Sequence, residues 1–336
     1  MRHFSKSIGT VNNRLGREVG KWLNSTSTVT KGAATNQLKG VWPIVATPFH
    51  AQNEKLDYKS FEKILSFFCN EIKVSGVTVM GVLGESNRLL DKERTELTKI
   101  AVSVCQETKT PVCVGTSHSG TYATIERSLE AFDLGCYAVM ISPSKETFTN
   151  QKVVYNYFKE ICKHLSAERQ QWIVLQDHPQ STEVKMELET IESMVQDFLP
   201  IACIKLESLP SPTKIKQLQQ FITKNVKREV TLLGGLGALY GYFDLQSLSD
   251  GFMTGFAFPE ILQAMYLNAR NSDKCFQIYA KYLPLIVFEQ QPGVSLRKHL
   301  YHIRGLLADT HVRHPGPSSS VHMCNCCATP SAVYWS

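Results

Sequence analysis

Short apolar runs alternate with longer amphipathic stretches between residues 40 and 260. The short runs end at Gly, Pro, Thr or charged residues, which is typical of buried strands. In the longer stretches, apolar residues recur every three or four positions, as on one face of a helix. The pattern predicts strands at 42–49, 76–80, 111–114, 137–142, 172–175, 201–205, 230–233 and 252–254.

This regular alternation predicts a parallel sheet covered by helices. Eight strand–helix units over about 220 residues favour a (β/α)8 TIM barrel. An open doubly wound sheet is the alternative, but its dinucleotide fingerprint is missing after the first strand, where the chain has Thr47-Pro48-Phe49. We therefore predict a barrel over 40–260, a C-terminal helical extension over 261–310 and a disordered tail over 311–336.

The sixth predicted strand ends in a lysine. In two-residue alternation Ile201, Cys203 and Lys205 share one face. Barrel active sites lie at the carboxyl ends of the strands, so Lys205 is predicted to project into the barrel mouth. Apolar surroundings favour the uncharged amine, which can form a Schiff base with a carbonyl. The alternative is a lysine that only caps the strand and pairs with Glu207.

Small and polar residues end the other strands and are predicted to line the mouth. The predicted substrate-binding residues are Thr47, Gly84, Glu85, Asp177, Gly234, Gly235 and Thr254. Histidine suits proton transfer near neutral pH, so we predict His178 and His118 as proton shuttles, together with Glu207. Asp177 and Glu85 are further candidates for that role. The alternative for each histidine is a polar residue at the rim.

Several motifs resemble the dihydrodipicolinate synthase / N-acetylneuraminate lyase family of class I aldolases and lyases. They are Ala46-Thr47-Pro48-Phe49, Gly81-Val82-Leu83-Gly84-Glu85, Val114-Gly115-Thr116 and Ile204-Lys205, with Glu93 eight residues beyond Glu85. The resemblance runs from about Gly40 to Pro317. It implies a barrel with a C-terminal helical domain, assembled as a homotetramer or homodimer. It also implies a Schiff base between Lys205 and pyruvate or a related 2-oxo acid, with no metal or organic cofactor.

Some positions depart from the family pattern. Val82 and Leu83 stand where the family usually has two hydroxyl residues that bind the substrate carboxylate and relay protons. Backbone N–H groups around Gly84 are an alternative carboxylate site. No tyrosine follows Pro143 as the family pattern requires, and Gln176 replaces the usual tyrosine after the fifth strand. Two functions therefore stay open: a Schiff-base lyase, or an inactive barrel that binds a small ligand or partner.

Other motifs are similar to a less characterised branch of the same family. They include Gly115-Thr116-Ser117-His118 and Leu296-Arg297-Lys298. The glycine-rich segments 234–237 and 254–255 precede helices, a place where many barrels bind phosphate. A phosphorylated substrate is thus an alternative, although the resemblance favours a free 2-oxo acid.

The charge of the chain is uneven. Net charge is +6, but the first 40 residues hold seven of the basic residues and one acid, so the rest is close to neutral and nucleic-acid binding is not expected. Residues 1–39 place apolar residues every three or four positions among basic ones, which is typical of a mitochondrial transit peptide. The alternative is a disordered basic tail. With no unbroken apolar run there, we expect a mitochondrial matrix protein without membrane partners.

The ten cysteines are scattered. Seven lie singly in apolar segments and are predicted to be small core residues. Cys324, Cys326 and Cys327 follow His322 without the paired spacing of a zinc site. His311 and His314 are predicted to be solvated. The sequence therefore predicts neither a metal site nor a disulfide framework.

Overall fold

The structure, a computed structural model, describes residues 38–290 and 293–316. Eight parallel strands form one sheet in the order β1-β8-β7-β6-β5-β4-β3-β2, and a bridge between Ile44 and Thr78 brings β1 beside β2. The predicted (β/α)8 barrel is confirmed. The strands are β1 Gly40–Pro43, β2 Val77–Val79, β3 Val112–Gly115, β4 Ala138–Ile141, β5 Trp172–Asp177, β6 Ile201–Leu206, β7 Thr231–Gly234 and β8 Gly251–Thr254.

Helices separate the strands and continue beyond β8. They are α1 Tyr58–Ser66, continued by a π-helical turn Phe67–Ile72, α2 Asp91–Gln106, α3 Thr121–Asp133, α4 Gln151–His164, α5 Pro179–Thr182, α6 Leu188–Asp197, α7 Ser211–Asn225, α8 Gly241–Gln246, α9 Pro259–Leu267, α10 Ser272–Gln290 and α11 Val294–Ile303. Local chemistry starts several of them. Asp57 caps α1 by accepting from the Ser60 amide, and Asn150 caps α4 by accepting from the Lys152 amide. No described helix is long and apolar enough to cross a membrane.

Two apolar layers lie on opposite faces of the sheet. The larger lies between strands and helices and includes Ile204 and Leu206. The smaller fills the barrel interior and includes Cys203, Leu233 and Met253. Because successive strand residues point to opposite faces, Lys205 points into the interior, as Cys203 does. The seven cysteines in the described part of the chain are free. Six are buried, which confirms their predicted core placement, whereas Cys162 is half-buried.

The C-terminal extension packs against the barrel. Tyr301 of α11 lies edge-on to Phe68, with ring centroids 6.1 Å apart. Residues 311–316, the first part of the predicted tail, also contact the barrel. Arg313 binds Glu93 at 2.7 Å, and His311 Nε2 lies 3.1 Å from Glu54 Oε1, so His311 is bound to protein where solvation was predicted. The predictions for residues 1–37 and for Cys324, Cys326 and Cys327 lie outside the described residues.

Candidate active site

Lys205 lies near the carboxyl end of β6 and is buried in the barrel mouth. It pairs in register with Gln176 of β5 and Leu233 of β7, so the three side chains share the inner face. Its Nζ atom lies 2.8 Å from Oε2 of Glu207. The structure therefore shows the predicted burial at the mouth, together with the ion pair to Glu207 that was the alternative role for this lysine.

Glu207 connects several groups around the lysine. Its Oε2 also accepts a hydrogen bond from Gln176 Nε2 at 2.8 Å, and Oε1 accepts one from the Leu236 amide at 3.1 Å. Burial alone would raise the pKa of Glu207, but the charges of Lys205 and His178 and the hydrogen bonds from Gln176 and Lys205 hold it below its ordinary value. Glu207 is therefore an ionised carboxylate at neutral pH, in contact with the amine.

His178 belongs to the same cluster. Its Nδ1 atom lies 4.0 Å from Glu207 Oε2 and 2.7 Å from the Ser181 hydroxyl. Burial lowers the pKa of His178, Lys205 adds to that effect, and Glu207 and Asp177 oppose it. His178 is half-buried and lies at the edge of the lysine–carboxylate cluster, with the Ser181 hydroxyl as its hydrogen-bond partner.

The structure does not bring His118 to this cluster. His118 is exposed at the end of β3, and its Nδ1 accepts a hydrogen bond from the Gly120 amide at 2.9 Å. Its position fits the alternative of a polar rim residue. Of the two predicted histidine shuttles, only His178 contacts the lysine–carboxylate cluster in the structure.

Asp177 faces away from the lysine, contrary to its predicted role in substrate binding or proton transfer. In the β5–β6 register it lies beside Leu206, on the outer face of the sheet. Its carboxylate binds Lys214 Nζ of α7 at 2.7 Å and the Ser208 hydroxyl. The cause is the two-residue period of a strand, which sends Gln176 inward and the next residue outward.

The glycines after β7 allow the loop to approach Glu207. A Cβ at Gly235 would overlap the Glu207 carboxylate, and one at Gly234 would lie 2.7 Å from Asp244 Oδ2. Thr254 accepts a hydrogen bond from the Gly237 amide at 2.7 Å. These three predicted substrate-binding residues thus shape and hold the loop around Glu207. Because the amides of Leu236 and Gly237 already donate to protein acceptors, the loop offers neither to a phosphate.

The loop that follows β2, residues 81–85, is also held by internal contacts. Thr47 Oγ1 donates to the Gly84 carbonyl at 2.6 Å, and the Gly84 amide donates to the Gly81 carbonyl at 2.9 Å. The Glu85 amide donates to the Val82 carbonyl at 3.1 Å. These two backbone donors, suggested as a carboxylate site, are therefore already used within the loop.

Glu85 is buried and serves the C-terminal extension. Its carboxylate forms ion pairs with Lys298 of α11 and with Arg88, the latter at 2.8 Å, and accepts from the Arg313 amide at 3.2 Å. Burial lowers the pKa of Lys298 to about 8, although Glu85 opposes this. Glu85 thus ties α11 to the barrel, and the structure does not place it beside Lys205.

Sequence reasoning missed one residue at the mouth. Arg297 of α11 is buried, and its Nε donates to Glu289 Oε1 at 2.5 Å. No local periodicity indicates that a residue of the last helix reaches the barrel mouth; the only signal in the sequence was the Leu296-Arg297-Lys298 motif.

In residues 38–290 and 293–316, no group of three or more His, Cys, Asp or Glu side chains is arranged to hold a metal ion.

The fold and this site define a (β/α)8 barrel protein with a buried, carboxylate-paired lysine at the carboxyl ends of its strands. The family model described as the Dihydrodipicolinate synthetase family matches residues 37–324. The chain belongs to this family, which confirms the resemblance identified from the motifs.

Sequence relatives carry a common name. The chain is 32% identical over 158 residues to the 4-hydroxy-tetrahydrodipicolinate synthase of Macrococcus caseolyticus, covering 47% of this chain and 51% of that protein. It is 27% identical over 257 residues to the enzyme of that name from Methanococcus maripaludis, covering 74% and 82%. The chain thus spans about half the length of the first of these curated relatives.

Solved structures share the fold. Dihydrodipicolinate synthase from Rhodopseudomonas palustris superposes with a TM-score of 0.79 at 30% identity, covering 84% of this chain and 93% of that one. A prophage protein of the dihydrodipicolinic acid synthase family from E. coli K12, solved in complex with pyruvate, superposes with a TM-score of 0.74 at 20% identity, covering 84% and 93%. At that lower identity the second likeness shows the fold alone.

Proposed function

We propose that this protein is a Schiff-base-forming lyase or aldolase that acts on a pyruvate-like 2-oxo acid. The observation that carries the proposal is the contact between Lys205 and Glu207 at the barrel mouth. Family membership and the names of the relatives support the same reaction class. A buried ion pair contributes little net stability compared with well-packed apolar residues, so stability alone gives little reason for this one.

Glu207 acts first in the proposed mechanism, by accepting a proton from the Lys205 ammonium group. The free amine then attacks the ketone carbon of the substrate and forms a carbinolamine. Glu207 returns its proton to the carbinolamine hydroxyl, which leaves as water, and a protonated imine remains on Lys205. That imine accepts the electron pair of a carbon–carbon bond at the adjacent carbon, which breaks and leaves an enamine. In the reverse direction the enamine attacks a second carbonyl and forms the bond.

The surrounding residues support these proton transfers. Gln176 and the Leu236 amide hold Glu207 in place while its charge changes. His178 is neutral at pH 7 because its pKa is lowered, so it accepts protons from the cluster and passes them to solvent. In this proposal Glu207 and His178 together replace the tyrosine that is missing after Pro143.

Borohydride trapping tests the proposal. Purified protein is reduced in the presence of pyruvate or a longer 2-oxo acid, and the adduct is located by intact mass and peptide mapping. We expect one adduct, on Lys205, and none in Lys205→Ala. The mass preference among the acids would narrow the substrate.

The competing function is a barrel that binds a ligand or partner without turnover. It is motivated by Val82 and Leu83 in place of hydroxyl residues. If correctly folded wild-type protein gave no adduct with any acid of a broad panel, the lyase proposal would be wrong and this alternative would be favoured.

We also propose that the protein is targeted to the mitochondrial matrix by residues 1–39 and that it is a homotetramer or homodimer. The basic amphipathic pattern supports targeting to the matrix, and fluorescence microscopy of a fluorescent-protein fusion with and without residues 1–39 tests it.

An exposed apolar surface supports the proposed oligomer. Phe243 and Phe276 are exposed and both contact Tyr242, as is common at subunit interfaces. Light scattering during gel filtration measures the molecular mass of the particle and so tests whether it is a homotetramer or homodimer.

A further inference from the structure

Arg297 has a buried hydrogen-bond donor for which the described part of the chain supplies no acceptor. The side chain is 2% exposed, and its Nε is bound to Glu289. Its Nη1 atom is buried and has no hydrogen-bond partner among residues 38–290 and 293–316. A buried donor of a charged group without an acceptor is costly, so a bound acceptor would be favoured there.

The position of this donor is set by Gly255 and Leu83. A Cβ at Gly255 would lie 2.7 Å from Arg297 Nη1 and 2.5 Å from Leu83 Cδ1. Met253 of β8 belongs to the interior layer, and Gly255 follows two positions later, just beyond the end of the strand, so continued alternation places it on the inner side. Arg297 Nη1 and Leu83 therefore lie together beside Gly255, on the inner side of the barrel mouth. This is the carboxyl end of the strands, where Lys205 also lies.

Glu289 orients the guanidinium. Its two carboxylate oxygens each accept from the Ala257 amide at 3.1 Å, and Oε1 also accepts from Arg297 Nε. Burial raises the pKa of Glu289, and Arg297 opposes this. A carboxylate fixed by a backbone amide and by Nε leaves Nη1 free for a second acceptor while holding the planar group in one orientation.

We infer that Arg297 binds the carboxylate of the 2-oxo acid substrate. The inference rests on the proposed function of Lys205. A substrate carboxylate would accept from Nη1 and satisfy the unused donor. It would also compensate for Val82 and Leu83, whose side chains have no donor. Arg297 is thus a substrate-binding residue supplied by the C-terminal extension.

The test compares pyruvate with its neutral methyl ester. Trapping on Lys205 is measured against concentration of each compound for wild type, Arg297→Met and Arg297→Lys. We expect Arg297→Met to raise the half-saturating concentration of pyruvate by about 10-fold or more, the loss typical of one hydrogen bond to a charged group, and that of the ester by less than about twofold. Arg297→Lys should lie between wild type and Arg297→Met.

Arg304→Met is the matched control. Arg304 is also a buried arginine after α11, but its guanidinium binds Glu260 at 2.7 Å and packs on Phe67 and Phe258. We expect it to leave both half-saturating concentrations unchanged. Thermal melts show which variants fold. If Arg297→Met does not fold, the comparison of wild type with Arg297→Lys tests the inference.

Failures of the two proposals are distinguishable. If wild type traps pyruvate and the Arg297 variants trap it equally well at the same concentrations, the Arg297 inference is wrong and the lyase proposal stands. If wild type traps neither compound, the lyase proposal fails, and calorimetric titration with pyruvate decides on Arg297. Tighter binding by wild type than by Arg297→Met would support the carboxylate site, and equal binding would overturn it.

Discussion

Glu207 Oε2 lies 2.8 Å from Lys205 Nζ, and neither side chain is more than 6% exposed. Glu207 lies just beyond the end of β6, two positions after Lys205. Its amide still donates to the Asp177 carbonyl of β5 at 2.9 Å, so the backbone continues in the strand direction. The strand period therefore places both side chains on the inner face. The same contact that neutralises a buried charge also gives the amine a proton acceptor.

Removing the lysine should expose the cost of a buried unpaired carboxylate. We expect Lys205→Met to lower the free energy of unfolding by about 3 kcal/mol, and Lys205→Met/Glu207→Gln to lower it much less. Without Lys205, burial raises the pKa of Glu207, so the loss should be larger at pH 8 than at pH 5. Urea unfolding at both pH values measures this. Equal losses in the single and double variants would mean that packing, and not charge, sets the cost.

His178 should control the acid side of the activity profile. Its pKa is lowered from 6.5, mainly by burial, so the ring is neutral at pH 7 and becomes protonated only at pH values below 6.5. Because a protonated ring cannot accept another proton, we expect imine formation to become slower as the pH decreases below 6.5. We expect His178→Gln to remove this pH dependence and to slow the reaction about 10-fold or more. His118→Gln tests the other predicted shuttle. We expect it to keep the wild-type profile, and the opposite pair of results would exchange the two roles.

Asp244 should make the protein less stable as pH rises. Burial raises its pKa from 3.8 to about 7, opposed by a hydrogen bond from Ser211 Oγ at 2.8 Å. Between those values the folded state holds a proton that the unfolded state has released, so stability falls between about pH 4 and 7. The free energy of unfolding of Asp244→Asn, measured relative to wild type, should therefore increase by on the order of 2 kcal/mol between pH 4.5 and pH 8. Chemical unfolding measures it, with the exposed Asp133→Asn as the control that should show no such gain.

Arg313 should contribute to stability through the packed part of the tail. It binds both carboxylate oxygens of Glu93, at 2.7 and 2.8 Å, and its guanidinium lies 4.2 Å from the Phe49 ring centroid. We expect Arg313→Ala to cost about 2 kcal/mol. Arg127→Ala removes a single ion pair with the exposed Asp91 and should cost less than about 1 kcal/mol. Thermal unfolding compares them, and equal losses would contradict a structural role for this segment.

Local periodicity was sufficient for the architecture and for the orientation of the lysine. Apolar runs and helical stretches repeat with short spacing, and the two-residue period alone places Lys205 and Glu207 on one face. The same local signal placed the cysteines in the core, because burial of a small apolar side chain needs no particular partner.

Contacts between distant residues decided the rest. Gln176 and Asp177 look equivalent at a strand end, and only the register with β6 shows that the first faces Lys205 and the second faces Lys214. Glu85 meets Lys298 although 213 positions separate them (298 minus 85).

The sequence by itself determined the barrel, the buried lysine and the family to which the motifs belong. Only the tertiary structure decided that α11 carries Arg297 to the inner side of Gly255 and Leu83. The physical reason is that periodicity reports which face of an element is buried, whereas the partner that meets this face depends on how elements far apart in the chain pack together.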